Sequence, residues 1–205
     1  MLIIPTYLRQ LVDRFKQKNM KHLVFVSAGH SNVPGRDMGA VGLGGVKEGD
    51  LTAELRKLVV EEFKKLGVVP VKDKDNTVTS ETVATINSIL DVNDVAIDIH
   101  FNAFHRATAN GTEVIVPFKS SEFERILAAK LSAEIAKVLN TTNRGVITEA
   151  QSARGTLLFM RPNCENILIE VCFITNQKDL DSYNANKQLV AKTIALVVYD
   201  YMTLQ

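Results

Sequence analysis

The sequence predicts an α/β fold: a single domain with a mostly parallel, twisted sheet flanked by helices on both faces. Apolar, β-rich runs alternate along the chain with segments that repeat apolar residues at helical spacing. At 205 residues, 46% of them hydrophobic, the chain is long enough to bury one proper core. No internal repeat, low-complexity tract or Pro/Ser-rich linker sets off a second module, so the whole chain is expected to serve one sheet and its helices.

The elements follow in order. Residues 1–21 read as an amphipathic helix, with Leu8, Leu11, Val12 and Phe15 at helical spacing among charged residues, and residues 22–205 form the main domain. "HLVFVSA" is a strand that breaks into the glycine-studded loop "GHSNVPGRDMGAVGLGGVKEGD". Leu51, Leu55, Leu58, Val59, Phe63 and Leu66 mark one face of a helix that stops at Gly67, a residue suited to the position after a helix end. "VVPVKD" is the second strand and "SETVATINSILDVN" the next helix. "DVAIDIHFNA" reads as a buried strand ending in polar residues, and "GTEVIVPF" as another strand. A long helix places Phe123, Leu127, Leu131, Ile135, Val138 and Leu139 toward the core. "ENILIEVCFI" is then a strand, and the last helix uses Leu189, Ile194, Val197, Val198 and Tyr201.

Composition excludes several function classes. Lys plus Arg (24) nearly balance Asp plus Glu (23), so a net charge of +1 gives no electrostatic reason for binding nucleic acid or an acidic membrane surface. No stretch approaches the roughly 20 apolar residues of a membrane span. The N-terminal segment lacks the form of a secretion signal, so synthesis in the cytoplasm is expected. Two cysteines, Cys164 and Cys172, are too few for a disulfide framework or a cysteine-based zinc site, which leaves His and carboxylate ligands for any metal.

Such ligands occur where ligands gather in open α/β sheets, beyond the carboxyl ends of the strands. "LVFVSA" runs into Gly29 and His30, "VAIDI" into His100, and "ILI" into Glu170. Glu48, at the exit of the glycine loop, is placed to fold back over the same edge. His30, Glu48 and His100 then make a His, Glu, His set, and catalytic zinc sites take three protein ligands and leave the fourth position open. Glu170, on a separate strand, is a candidate for the proton-transferring base. A single histidine at a strand end is more often structural than a ligand. Four polar groups at one sheet edge are harder to explain that way, since burying Glu170 within "ILIEVCFI" costs several kcal/mol unless something pairs with it.

Competing readings are weaker. His22, ahead of its strand, is expected to be exposed, and His105 is a cleft-lining loop residue or an alternative ligand. Cys172, two residues from Glu170 and so expected on its strand face, suggests a Cys/His nucleophile, but a buried apolar thiol fits better. "GLGGVKEGD" has neither glycine-motif frame for phosphate directly after a strand. The loop glycines read instead as backbone freedom that returns Glu48 to His30.

These residues resemble the zinc-dependent N-acetylmuramoyl-L-alanine amidases, which cleave the bond between the lactyl group of muramic acid and the first alanine of the peptidoglycan stem. The likeness spans residues 22–203 and rests on "AGH", "DMGAVG", "KEGDL", "IHFNA", "NGTEV", "NRGV" and "LIEVCFITN", in that order. It implies Zn2+ held by His30, Glu48 and His100, catalysis by Glu170, Asn102 shaping its turn, and peptidoglycan as the partner. The family usually has Gly where Cys172 stands and Pro-Ala where this chain has "CEN", departures expected to reshape the cleft wall. Some members carry an insertion that plugs the zinc; "IVPFKSSEF" leads almost straight into the next helix, so an open site is expected. Without a secretion signal, the resemblance suggests a phage endolysin released through an opened membrane, with a bacterial enzyme as the other origin. The alternatives in function are a zinc peptidase cutting elsewhere in the stem peptide and a non-catalytic peptidoglycan-binding module.

Overall fold

The computed structural model describes residues 22–75 and 77–203. The helix expected over residues 1–21 lies outside the described residues. In chain order the elements are β1 (Val24–Ala28), α1 (Glu48–Lys65), β2 (Val71–Lys72), α2 (Thr79–Ile89), β3 (Val95–Asn102), β4 (Thr112–Val116), α3 (Glu122–Leu139), β5 (Asn143–Thr148), β6 (Glu165–Phe173) and α4 (Gln177–Thr203).

The six strands form one sheet in the order β2-β1-β3-β6-β4-β5. β2, β1, β3 and β6 run parallel, β4 is antiparallel to β6, and β5 is parallel to β4. The carboxyl ends of β1, β3 and β6 therefore share an edge with the start of β4, which brings Glu113 beside Glu170. β5, covering "NRGVIT", is an edge strand that the hydrophobic pattern did not announce, because its side chains are exposed or half-buried and no apolar face repeats.

Period-two alternation sorts the strand residues between two faces. Val24, Val26, Val95, Ile97, Ile99, Val114, Ile167 and Ile169 join the buried faces of α1, α3 and α4 in the main core. Phe25, Val71 and Ala96 point the other way, onto Ile86 and Leu90 from α2 and its end and onto Phe159. Tyr183 of α4 is fully buried and meets Phe101 edge-on at 4.7 Å between ring centroids. Each such large apolar side chain contributes about 1.5–3 kcal/mol by leaving water. Leu189, read as a core residue, is 49% exposed; Val190, Ala191, Ile194, Val197 and Val198 carry the buried face of α4.

Two polar side chains lock the end of β6. Asn176 caps α4 by accepting the N–H groups of Lys178 and Asp179 (3.0 and 3.2 Å), and its amide donates to the Ala107 carbonyl across the sheet edge. The buried Asp179 carboxylate accepts the N–H groups of Gly111 and Phe173 (2.8 and 3.0 Å), tying the start of β4 to the end of β6. The connection from β4 to α3 runs only over residues 117–121, too short to place an inserted helix over the sheet edge.

Candidate active site

His30 follows β1 directly, at φ 64°, in the left-handed region that costs a non-glycine residue about 1–2 kcal/mol. Backbone strain of this kind collects where a side chain must be aimed. Glu48 is the first residue of α1, and its carboxylate is 4% exposed. Phe101 N–H donates to Oε1 (3.1 Å) and Ala40 N–H to Oε2 (2.9 Å), so two distant backbone segments fix it. His100, near the end of β3, presents Nδ1 at 3.0 Å from Glu48 Oε1. His30 Nε2 lies 3.3 Å from Glu48 Oε2.

His30, Glu48 and His100 thus each turn one ligand atom to a common point, all within 4.8 Å of one another. The imidazoles meet edge-on, 5.1 Å between ring centroids. Each has its far nitrogen on an aspartate: His30 Nδ1 on Asp37 Oδ2 (3.0 Å) and His100 Nε2 on Asp98 Oδ2 (3.1 Å). Burial alone would lower the His100 pKa, but Asp98 and Glu48 outweigh it and hold the imidazole well above its ordinary range. Burial would likewise raise Glu48, yet the His100 contact, the charge of both histidines and the Ala40 N–H keep it below the usual carboxylate range. A buried carboxylate kept ionised between two imidazoles is a donor set that could hold a metal ion.

Two glycines make room for this packing. A Cβ on Gly29 would fall inside the His100 imidazole, and one on Gly39, at φ 69°, would sit 2.6 Å from Glu48 Oε2 and from His30 Cδ2. At these positions the loop glycines serve close approach of side chains as much as tight turning. Gly29 has an ordinary backbone conformation, so Gly29→Ala is expected to leave the fold intact while displacing His100. Binding of a divalent metal ion should weaken, with the thermal midpoint of the metal-free protein moving little. Unchanged metal binding would contradict the packing.

Glu170 pairs with His100 in the β3/β6 register. Burial pushes its carboxyl up to about 7, with His100 pulling it down and Glu48 and Glu113 pushing it up. Its Oε2 is buried without a hydrogen-bond partner. The neighbouring Glu113 is saturated: Asn102 Nδ2 donates to Oε1 and Arg144 Nε to Oε2, both at 2.8 Å, while the Arg144 guanidinium lies over the Phe173 ring. Of two adjacent carboxylates, Glu170 alone keeps an oxygen free for proton transfer.

Several expectations need correction. β6 carries an extra residue opposite β3, since His100 pairs with Glu170 but Asn102 with Phe173. This bulge turns Cys172 into the main core, fully buried, rather than onto the Glu170 face. There it does not line the cleft, and it is the buried apolar thiol that the sequence favoured, with burial holding its pKa well above the ordinary value. His105 is exposed, stacks on Phe104 at 4.2 Å and lies outside the ligand group. His22 is half-buried rather than exposed. Asn102 does accept the N–H of Ala103, the turn role expected of it, and holds Glu113 as well.

Sequence reasoning missed Asp37 and Asp98 as partners of the histidines, and Glu113 and Arg144 as neighbours of Glu170. For Asp98 a signal existed: it is an acid inside the apolar run "VAIDIHF", two residues before His100 and so on the same strand face.

This fold and this edge define a class, the α/β domains that gather two imidazoles and a carboxylate into a group able to hold a metal ion, with a second glutamate beside it. The sequence pattern of the N-acetylmuramoyl-L-alanine amidases matches residues 24–199, and the chain belongs to that family of peptidoglycan hydrolases. Among solved structures it is similar to the N-acetylmuramoyl-L-alanine amidase AmiC2 of Nostoc punctiforme (23% identity, TM-score 0.74, covering 89% of this chain and 98% of that one). The N-acetylmuramoyl-L-alanine amidase from Clostridium difficile 630 is equally similar (23% identity, TM-score 0.74, 90% and 98% covered). The catalytic domain of the CD27L endolysin targeting Clostridia difficile follows (22% identity, TM-score 0.67, 87% and 97% covered). At these identities the structures establish the shared fold. No curated protein sequence matches the chain.

Proposed function

We propose that the family's amide hydrolysis is carried out here with zinc held by His30 Nε2, Glu48 and His100 Nδ1, and with Glu170 as the general base. The observation that carries this reading is the His30 Nε2 atom: it is buried, has no hydrogen-bond partner, and faces the Glu48 carboxylate and the His100 ring. A buried lone pair left in this way costs about 1–3 kcal/mol unless a ligand takes it up. Two imidazole nitrogens and a carboxylate oxygen are a donor set suited to catalytic zinc. When bound, zinc supplies Lewis acidity that polarises the amide carbonyl and acidifies water.

The remaining steps belong to the chain. The backbone N–H groups of Phe101 and Ala40 hold Glu48 still, which keeps the two histidines in register with each other. Glu170 takes the proton of the attacking water, and its free Oε2 and its pKa of about 7 let it keep that proton near neutral pH. It then delivers the proton to the departing alanine nitrogen as the carbon–nitrogen bond breaks. Glu113, bound on both oxygens, leaves this proton path to Glu170.

Peptidoglycan as substrate follows from the family. We further infer that the protein reaches the wall from the cytoplasm, as an endolysin does; the similarity to an endolysin catalytic domain supports it. Among the described residues, no helix is long and apolar enough to cross a membrane. Digestion of purified sacculi followed by mass spectrometry tests the bond cut. Free lactyl carboxyl ends and new L-alanine amino termini are expected. Products that keep the lactyl-alanine amide would identify a stem-peptide peptidase instead, and the absence of any product would identify a binding module.

A further inference from the structure

Asp98 lies on β3 two residues before His100, on the same face, and its carboxylate is 8% exposed. One oxygen meets His100 Nε2 at 3.1 Å; the other is buried with no partner. Among the described residues no Lys or Arg pairs with it: the Arg56 guanidinium is engaged by the carboxylates of Asp73 and Asp75. Asp73 adds a second acid close enough to Asp98 for the two to repel. A carboxylate buried with one oxygen unpartnered is costly, which argues against a purely stabilising role.

The chemistry of imidazole says what this arrangement does instead. A neutral ring carries its proton on one nitrogen and its lone pair on the other, and a carboxylate can only accept. When a metal takes the lone pair of Nδ1, the ring keeps one proton, and Asp98 holds that proton on Nε2. The Asp37 contact on His30 Nδ1 is the same device in exposed form, its carboxylate 80% accessible to water. The buried Asp98 acts with less screening and therefore more strongly.

We infer that Asp98 is the positioning residue of the metal centre: through Nε2 it sets the tautomer and ring orientation of His100, and so tightens metal binding at Nδ1. The inference rests on the zinc reading above. Hydrogen-bond partners of metal-bound histidines change metal affinity by about 10- to 100-fold when removed.

The test is zinc affinity of the full chain by competition with a chromophoric chelator, together with the visible spectrum of the cobalt-substituted protein. Asp98→Ala is expected to bind zinc about 10- to 100-fold more weakly, with an altered cobalt spectrum. Asp98→Asn, which keeps an accepting oxygen without the charge, should fall between Asp98→Ala and the unaltered chain. Thermal midpoints of the metal-free proteins should stay level or rise, since a buried oxygen without a partner is removed. Unchanged affinity and spectrum in both variants would overturn the inference. Another measurement needs no variant: long-range proton–nitrogen spectra of the zinc-loaded chain should place the His100 proton on Nε2, and a proton on Nδ1 would overturn it. If His30→Ala also leaves zinc affinity unchanged, the zinc reading itself fails and this inference with it; if His30→Ala abolishes binding while the Asp98 variants bind normally, only the role of Asp98 fails.

Discussion

Glu170→Ala is expected to hold zinc like the unaltered chain and to lose turnover by about 10²- to 10⁴-fold, the usual contribution of a positioned general base. The expectation follows from its surroundings. Glu170 sits across the strand register from His100 yet turns no atom to the His30, Glu48 and His100 point. Its loss removes the proton acceptor without removing a ligand. The fold should not suffer, because the residue buries an oxygen that bonds to nothing. Zinc analysis beside a wall-turbidity assay checks both halves. Glu170→Gln, of the same shape, should behave likewise and shows that the carboxylate rather than the volume matters. Normal turnover in either variant would sink the assignment of Glu170.

Removal of a ligand should have the opposite signature, with metal and turnover lost together. His30→Ala is the cleanest case, since among the described residues the ring's ion-pair contacts are the exposed Asp37 and the Glu48 carboxylate. Its zinc content should drop from about one ion per chain to near none. His100→Ala should match it. Glu48→Ala should lose the metal and also stability, because the N–H groups of Phe101 and Ala40 would be left without their acceptor at about 1–3 kcal/mol each. Stripping the unaltered chain with a chelator should abolish turnover, and added zinc should restore it. Zinc-free protein with full activity would overturn the metal reading.

Much of the fold could be read before any coordinates. Period-two and helical spacing located five of the six strands and all four described helices, because each buries an apolar face that its own spacing reveals. β5 escaped because an exposed edge strand has no such face. Leu189 was misread because helical spacing alone leaves the edge of the buried stripe uncertain by one residue. The site was legible to the extent that polar residues stood at strand ends: His30, Glu48, His100 and Glu170 do meet at one edge.

The rest depended on neighbours distant in the chain. Glu113 reaches Glu170 only because β4 enters the sheet antiparallel, a choice of direction that no local pattern encodes. Cys172 left the site because of one extra residue in β6, and a bulge is defined by the partner strand as much as by its own.

By itself, then, the sequence determined the α/β class, the order of its elements and the four residues gathered at the sheet edge, since these follow from apolar periodicity and from which residues end each strand. Only the tertiary structure decided which nitrogen of each histidine faces the common point, which of two adjacent glutamates stays free, and which aspartates stand behind the histidines. Those are matters of register, of ångström-scale approach across Gly29 and Gly39, and of hydrogen bonds between residues dozens of positions apart.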